Sequence, residues 1–266
     1  MRSWWHWYRN LPQNPVYLRE KGHWGKPNPF YTNLMRFSPF VLLGVIALGF
    51  CGGFNNPAMF ADNDDLFAIW CLVCIPGLLL SMLTIFGSLM APALTAPAIS
   101  LERAQGTWDV LRTTPQSTQS ILLAKLFGGL ARMRIWTLLL ALSLFQGLIF
   151  FCTLTLTSTE TAVWGWLVAL VAVIRPWLEI LFAAFTGMFF STAVHSATIA
   201  LASSYAIIVI FRLFNNSTVW YGLMSISQPE DVVMIVVGTV GPTAVYALAV
   251  AALWAGILYQ ANRLRD

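Results

Sequence analysis

The chain has 266 residues, of which 58% are hydrophobic and only 10% charged, with a mean hydropathy of +0.70. A soluble globular chain carries about a quarter charged residues, so the polar side chains here are too few to coat a water-facing surface, and lipid must cover much of it. The same figures exclude a disordered chain, which would be charge-rich and poor in aromatics, and four cysteines are too few for a disulfide scaffold.

In chain order, residues 1–37 are polar, basic and aromatic, without the apolar stretch of a cleavable leader. Trp4, Trp5, Trp7, Tyr8 and Trp24 among arginines and lysines suit the headgroup layer, which predicts an interfacial segment lying on the inner leaflet, with a mobile tail as the alternative. A short helix is expected after Asn14, capped by that residue, with Pro15 in its first position and Gly22 beyond its end. Uncharged runs then extend over 37–61, 66–101, 135–159, 180–211 and 232–262, each long enough for the roughly 20 residues that span a bilayer core. Pro92 and Pro97 suggest that the second run leaves the membrane near Ala91 as irregular chain. The polar string Ser191, Thr192, His195, Ser196 divides the fourth run in two. The fold class predicted is an all-α integral membrane protein with six spans, about 38–56, 66–90, 135–156, 174–191, 197–213 and 232–258, within a domain of residues 38–262 followed by a tail of 263–266.

With a cytoplasmic amino terminus, 13 of the 15 Lys and Arg residues fall on the inner side. The outer loops hold Asp62, Asp64, Asp65, Glu160, Glu230 and Asp231, with Arg212 the cation at the outer end of the fifth span. This asymmetry predicts cytoplasmic amino and carboxyl termini. It also explains the net charge of +4 without nucleic acid. The compact size favours a bacterial chain, hence the inner (plasma) membrane.

The longest inner connection runs Ala98-Ile99-Ser100-Leu101-Glu102-Arg103-Ala104-Gln105-Gly106-Thr107-Trp108-Asp109-Val110-Leu111-Arg112-Thr113-Thr114-Pro115, then Ser117 and Ile121-Leu122-Leu123-Ala124-Lys125-Leu126. It predicts a break at Gly106, a short helix capped by Thr107 and stopped by Pro115, and a further helix capped by Ser117. Trp108 and Leu111 share one face of the short helix. An aromatic exposed on such an element is suited to docking in a groove of another protein. A hairpin packed only on its own chain is equally compatible with the spacing.

The string E-R-x-x-G-T-x-x-x-L-x-x-T-P, followed by I-L-L-x-K-L, resembles the motif between the second and third spans of membrane subunits of type 2 ATP-binding-cassette (ABC) transporters. Asn14-Pro15-Val16 with Arg19-Glu20 is similar to the N-P-V-x-x-R-E opening of many such permeases. The resemblance implies a cytoplasmic coupling helix, about 100–116, that seats in a cleft of an ATPase. It assigns that role to Glu102, Arg103, Gly106, Thr107, Leu111, Thr114 and Pro115, and Trp108 joins them as a coupling candidate from its place on the short helix. It further implies an exporter built from two membrane subunits, identical or homologous, and two ATPase subunits. No phosphate loop occurs in the chain, the nearest string being Gly22-His23-Trp24-Gly25-Lys26-Pro27. ATP and Mg are therefore expected on the partner, with no cofactor here.

Arg175 and Glu179 lie four apart around Pro176, near the expected start of the fourth span, and can pair there. They and Gln146 are candidates for a pathway or gate, a structural ion pair being the alternative. The apolar stretch 161–174 reads as an outer extension of the fourth helix or as an interfacial segment. Cys71 and Cys74 form C-x-x-C without the strand-turn-helix setting of a redox motif, and His6, His23 and His195 are too scattered for a metal. Asn215-Asn216-Ser217-Thr218 contains glycosylation acceptors, or simply turn residues. Rival readings are a membrane enzyme or assembly factor using Arg175, Glu179 and His195 on a lipid-linked substrate, and an anchor that docks an ATPase without translocating anything.

Overall fold

The computed structural model describes residues 11–22, 64–113, 116–133, 135–157, 162–216, 219–220, 222 and 231–263, all of it helices and short connections. The expected first span at 38–56, the aromatic belt of Trp4, Trp5, Trp7, Tyr8 and Trp24, the residues Thr114 and Pro115, and most of the loop from 217 to 230 lie outside them.

α1 (Pro15–Glu20) forms as expected: Asn14 Oδ1 accepts the Val16 N–H at 2.9 Å, Pro15 fills the first position, and the chain leaves through Gly22 at φ +92°. α2 (Asp64–Thr95) has 32 residues, which at ~1.5 Å per residue exceeds the ~30 Å hydrocarbon core. The expected irregular exit near Ala91 is not found. The helix persists to Thr95 and, after Ala96, resumes as α3 (Pro97–Ala104). Pro97 takes the first position of α3, and the orphan N–H groups of Ile99 and Ser100 donate to Ser191 Oγ at 2.9 and 3.0 Å. A hydroxyl from another helix thus stands in for the missing cap. Ser191→Ala is expected to cost about 1–2 kcal/mol and to lower the thermal midpoint of the purified chain; an unchanged midpoint would show that the break is satisfied by other means.

α4 (Thr107–Arg112) and α5 (Thr118–Ala131) follow, the latter capped by Ser117 Oγ, which accepts the Ser120 N–H at 3.3 Å. α5 meets α6 (Trp136–Thr157) at a bend of 80°. Trp136 holds this elbow, donating its indole N–H to the Leu130 carbonyl at 2.9 Å and stacking on Trp177 with centroids 5.3 Å apart. α7 (Ala162–Ala193) is one helix, so the stretch before Ile174 is its extension and Arg175 lies well inside it. Pro176 is accommodated within the helix, as prolines are in apolar spans. α8 (Ala197–Phe214) and α9 (Asp231–Arg263) complete the bundle. Among the described residues four helical stretches are long and apolar enough to cross a membrane, and a fifth if the bent α5–α6 pair is taken as one span.

α7 is the axis on which α2, α6, α8 and α9 pack. Lipid supplies little hydrophobic force between helices, so close backbone approach at small residues carries much of the association. A β-carbon at Gly87 would stand 2.6 Å from Ile180 Cδ1, one at Gly147 2.6 Å from Val173 Cγ2, and one at Gly187 2.9 Å from Pro92 Cα. α2, α7 and α9 run in one direction, α6 and α8 in the other. One end of the bundle therefore gathers α3, α4, the turn at 194–196 and the finish of α9. The other gathers the starts of α2, α7 and α9 with the finishes of α6 and α8.

Candidate functional site

Two sites stand out, one at each end. At the first, α3 and α4 form a hairpin that turns at Gly106, whose φ of +69° is the left-handed conformation glycine adopts without strain. Space around Gly106 is open, with no atom within 4 Å of a β-carbon there. Thr107 begins α4 instead of capping it, and its hydroxyl donates back to the Glu102 carbonyl at 3.3 Å. Trp108 and Leu111 do share a face, but it is the inner one. Trp108 is only 4% exposed, packed in the core with Leu111 against it, and its indole N–H has no hydrogen-bond partner among the described residues. The expected outward aromatic is thus corrected: folding α4 back on α3 at Gly106 buries the large ring. The outward surface carries Val110, 69% exposed, and Leu101, 49% exposed. Val110 was not singled out by the sequence reading, although it stands between the two residues that were.

The hairpin is held from behind by charge. Lys125, on α5, has a side chain only 1% exposed, and its ammonium lies 2.7 Å from Glu102 Oε1, 3.2 Å from Glu20 Oε1 and 3.1 Å from the Ala98 carbonyl. Its N–H groups donate to Glu20 Oε1 and the Ala98 carbonyl, and the closest contact, to Glu102, is an ion pair. Arg19 completes the cluster at 3.4 Å from Glu102 Oε1, so two cations balance two carboxylates. Asn14 Nδ2 adds a tie to Gln116 Oε1 at 3.4 Å. α1 lies so close to α5 that a β-carbon on Gly128 would stand 2.6 Å from Glu20 Cβ. The two separated motifs, around Asn14–Glu20 and Glu102–Lys125, meet in this cluster. Arg103 also turns to its own chain: Nη1 donates to the Thr192 carbonyl at 3.0 Å and Nη2 lies 2.7 Å from His195 Nε2. His195 sits in the exposed turn between α7 and α8, as the polar string predicts.

At the opposite end a cavity of about 790 Å³ opens between α2, α6, α7, α8 and α9. It brings together all three candidates for a pathway, Arg175, Glu179 and Gln146, and adds Arg212. Arg175 Nε is 3.1 Å from Glu179 Oε1, the expected pair, and Arg212 Nη2 is 3.3 Å from Glu179 Oε2. Gln146, 7% exposed, has its carbonyl oxygen buried without a hydrogen-bond partner among the described residues. Next to the ion cluster the rings of Phe182, Phe211 and Tyr246 join α7, α8 and α9, with centroids 4.3 to 5.6 Å apart. Arg212 was noted only as a cation on the acidic side of the chain; that exception was the signal of a buried partner.

Asn215, also at this end, is 5% exposed, donates to the Pro242 carbonyl at 2.8 Å and accepts from Trp220 Nε1 at 3.1 Å. It ties α8 to α9, and its side-chain amide is engaged internally instead of presented as a glycosylation acceptor. Ser143, buried on α6, donates to the Leu140 carbonyl at 3.1 Å. Cys152 is an exposed free thiol, while Cys51 and the side chains of Cys71 and Cys74 lie outside the description. Among the described residues no group of three or more His, Cys, Asp or Glu is placed to hold a metal.

The model of a family described as ABC-2 family transporter protein matches residues 20–261. The chain belongs to the ABC-2 transporter family. No curated protein and no solved structure matches it. Membership in the ABC-2 family agrees with the apolar helical bundle and implies association with a cytoplasmic ATPase. The geometry also weighs against the enzyme reading of this ABC-2 chain: Glu179 and His195 are separated by about 24 Å of helix rise and turn, at opposite ends of the bundle.

Proposed function

We propose that this ABC-2 chain is the transmembrane subunit of an ATP-driven exporter, lining the path with a second copy or a homologous partner and driven by two separate cytoplasmic ATPase subunits that carry ATP and Mg. The observation supporting it is the two-sided hairpin at 97–112. Its inner side is locked by Glu102, Arg103 and Trp108 to α1, α5 and the α7–α8 turn, and its outer side presents Val110 and Leu101. A push on the outer side would pass through Lys125 to α5 and through Ser191 and Arg103 to α7, the helix on which the other spans pack. Gly106 and Thr107 shape the tip and Leu111 backs it, while Thr114 and Pro115 lie outside the described residues. In this reading amino and carboxyl termini are cytoplasmic, the hairpin faces the cytosol and the cavity lies toward the outer leaflet. Alternation between two arrangements of the spans then moves cargo across.

Val110→Glu places a charge on the exposed face without disturbing the core. It is expected to abolish co-elution of the ATPase in mild detergent and to lower transport at least about tenfold, as expected when a central apolar contact of an interface is replaced by a charge. Insertion and thermal midpoint should be unchanged, and the chain alone should hydrolyse no ATP. Full transport by the Val110→Glu protein would remove the coupling assignment.

A further inference from the structure

We propose that the cavity between α2, α6, α7, α8 and α9 binds an amphiphile through hydrogen bonds that its head donates, a diol or primary amide carried on an apolar body, with the Gln146 amide oxygen as the anchor. Three acceptors on the cavity walls point to a donor. Gln146 is 7% exposed, lines the cavity midway along α6, and its Oε1 is buried with no hydrogen-bond partner among the described residues, a state that costs free energy until a donor arrives. Glu179 Oε2 is likewise buried without a hydrogen-bond partner there, its 3.3 Å approach to Arg212 Nη2 being an ion pair. Pro176 has no N–H, so the carbonyl of Ala172, on the same wall, lacks the donor that a helix otherwise supplies.

Polar neighbours of these acceptors are engaged elsewhere. Thr84 donates its hydroxyl proton to the Leu80 carbonyl at 2.7 Å, and the Asn215 amide donates to the Pro242 carbonyl at 2.8 Å. Glycine at position 77 keeps the anchor reachable from α2, since a β-carbon there would stand 3.4 Å from Gln146 Oε1. Bulk water is scarce at the middle of an apolar span, so a donor on a ligand gains more there than it would at the surface. The remaining walls include Leu80, Phe150, Val168 and Val171, which suit an apolar body, and about 790 Å³ lies within the range of small-molecule pockets. Recognition of this kind uses the donors of the head and asks no net charge of the ligand.

The source of such a head is either a lipid of the surrounding leaflet or the transported cargo, and the binding itself does not depend on the transport reading. The test uses the full chain in phosphatidylcholine nanodiscs, whose choline heads donate no hydrogen bond, with its thermal midpoint followed during titration with monolauroylglycerol, methyl laurate or glycerol. Monolauroylglycerol, a diol on an apolar chain, is expected to raise the midpoint saturably, at concentrations at least about tenfold below any effect of methyl laurate, which has the same chain and no donor, or of glycerol, which has no chain. Gln146→Leu should weaken that response about tenfold or more, the worth of one hydrogen bond to a buried acceptor. Its midpoint without ligand should equal or exceed that of the wild type, because an unpaired polar group has been removed. Gly77→Ala, which covers the acceptor from the facing helix, should weaken the response in the same direction with the ligand-free midpoint unchanged. Equal response to monolauroylglycerol and methyl laurate, an equal response to glycerol alone, a full response in both variants, or a lowered ligand-free midpoint in Gln146→Leu would overturn the proposal. With the ATPase complex in the same membranes, stimulation of ATP turnover by monolauroylglycerol in the wild type but not in Gln146→Leu identifies the site as one for cargo. Binding without stimulation supports the same site as the seat of a resident lipid head.

Discussion

Replacing Lys125 with methionine is expected to destabilise the chain by about 3–5 kcal/mol, the cost of breaking a buried ion pair by removing one partner. Lys125 is almost fully enclosed, and its loss leaves Glu102 at 4% exposure with, among the described residues, only the 3.4 Å ion pair to Arg19, and leaves Glu20 without its buried cation. Three helices meet there, so α1, α3 and α5 should loosen together and transport should fall with stability. Arg19→Ala is the control: that side chain is 53% exposed, and its removal should cost under about 1 kcal/mol. A double-mutant cycle of Lys125→Met with Glu102→Gln is expected to be non-additive by about 1–3 kcal/mol. Thermal or denaturant unfolding of the purified variants measures all of these. Equal, small effects of Lys125→Met and Arg19→Ala would show that the cluster does not hold the hairpin.

Gly187→Leu is expected to be still less tolerated, giving poorly assembled or aggregated protein. A β-carbon there meets Thr95 Oγ1 and lies 2.9 Å from Pro92 Cα, and Thr95 is itself held by its one hydroxyl proton, shared between the Ala184 and Ala91 carbonyls, each 3.0 Å away. Neither neighbour can yield without separating α2 from α7, so the overpacking cost should reach or exceed about 3 kcal/mol. Gly106→Ala makes the opposite case. Open space surrounds it, so only the φ of +69° opposes the change, at about 1–2 kcal/mol on an exposed turn. Size-exclusion profiles and thermal midpoints should separate the two; a monodisperse, unshifted Gly187→Leu protein would contradict the packing.

Local signals were read well where the chemistry is local. The caps at Asn14 and Ser117, the turn at His195, the break at Gly106 and the Arg175–Glu179 pair each depend on residues within a few positions of one another. The failures share a different cause. Pro92 and Pro97 look like the end of ordered chain, yet Ser191, remote in sequence, supplies the acceptor that keeps α3 helical. Trp108 looks like an outward anchor, yet whether the shared face of Trp108 and Leu111 points out or in depends on how α4 folds over α3. Arg212 completes the ion cluster with Glu179 from another helix, a partnership no spacing rule encodes.

From its amino acids alone, this protein is determined to be a helical membrane chain with a polar, breakable hairpin between two apolar stretches, because hydropathy, capping and charge asymmetry are properties of contiguous sequence. The tertiary structure alone decides which groups face one another across helices: Glu102 with Lys125, Ser191 with the start of α3, and Arg212 with Glu179 beside Gln146. Those pairings follow from rotation and depth of packed helices around α7, set by glycine contacts and ring stacking, and a one-dimensional pattern carries no record of either.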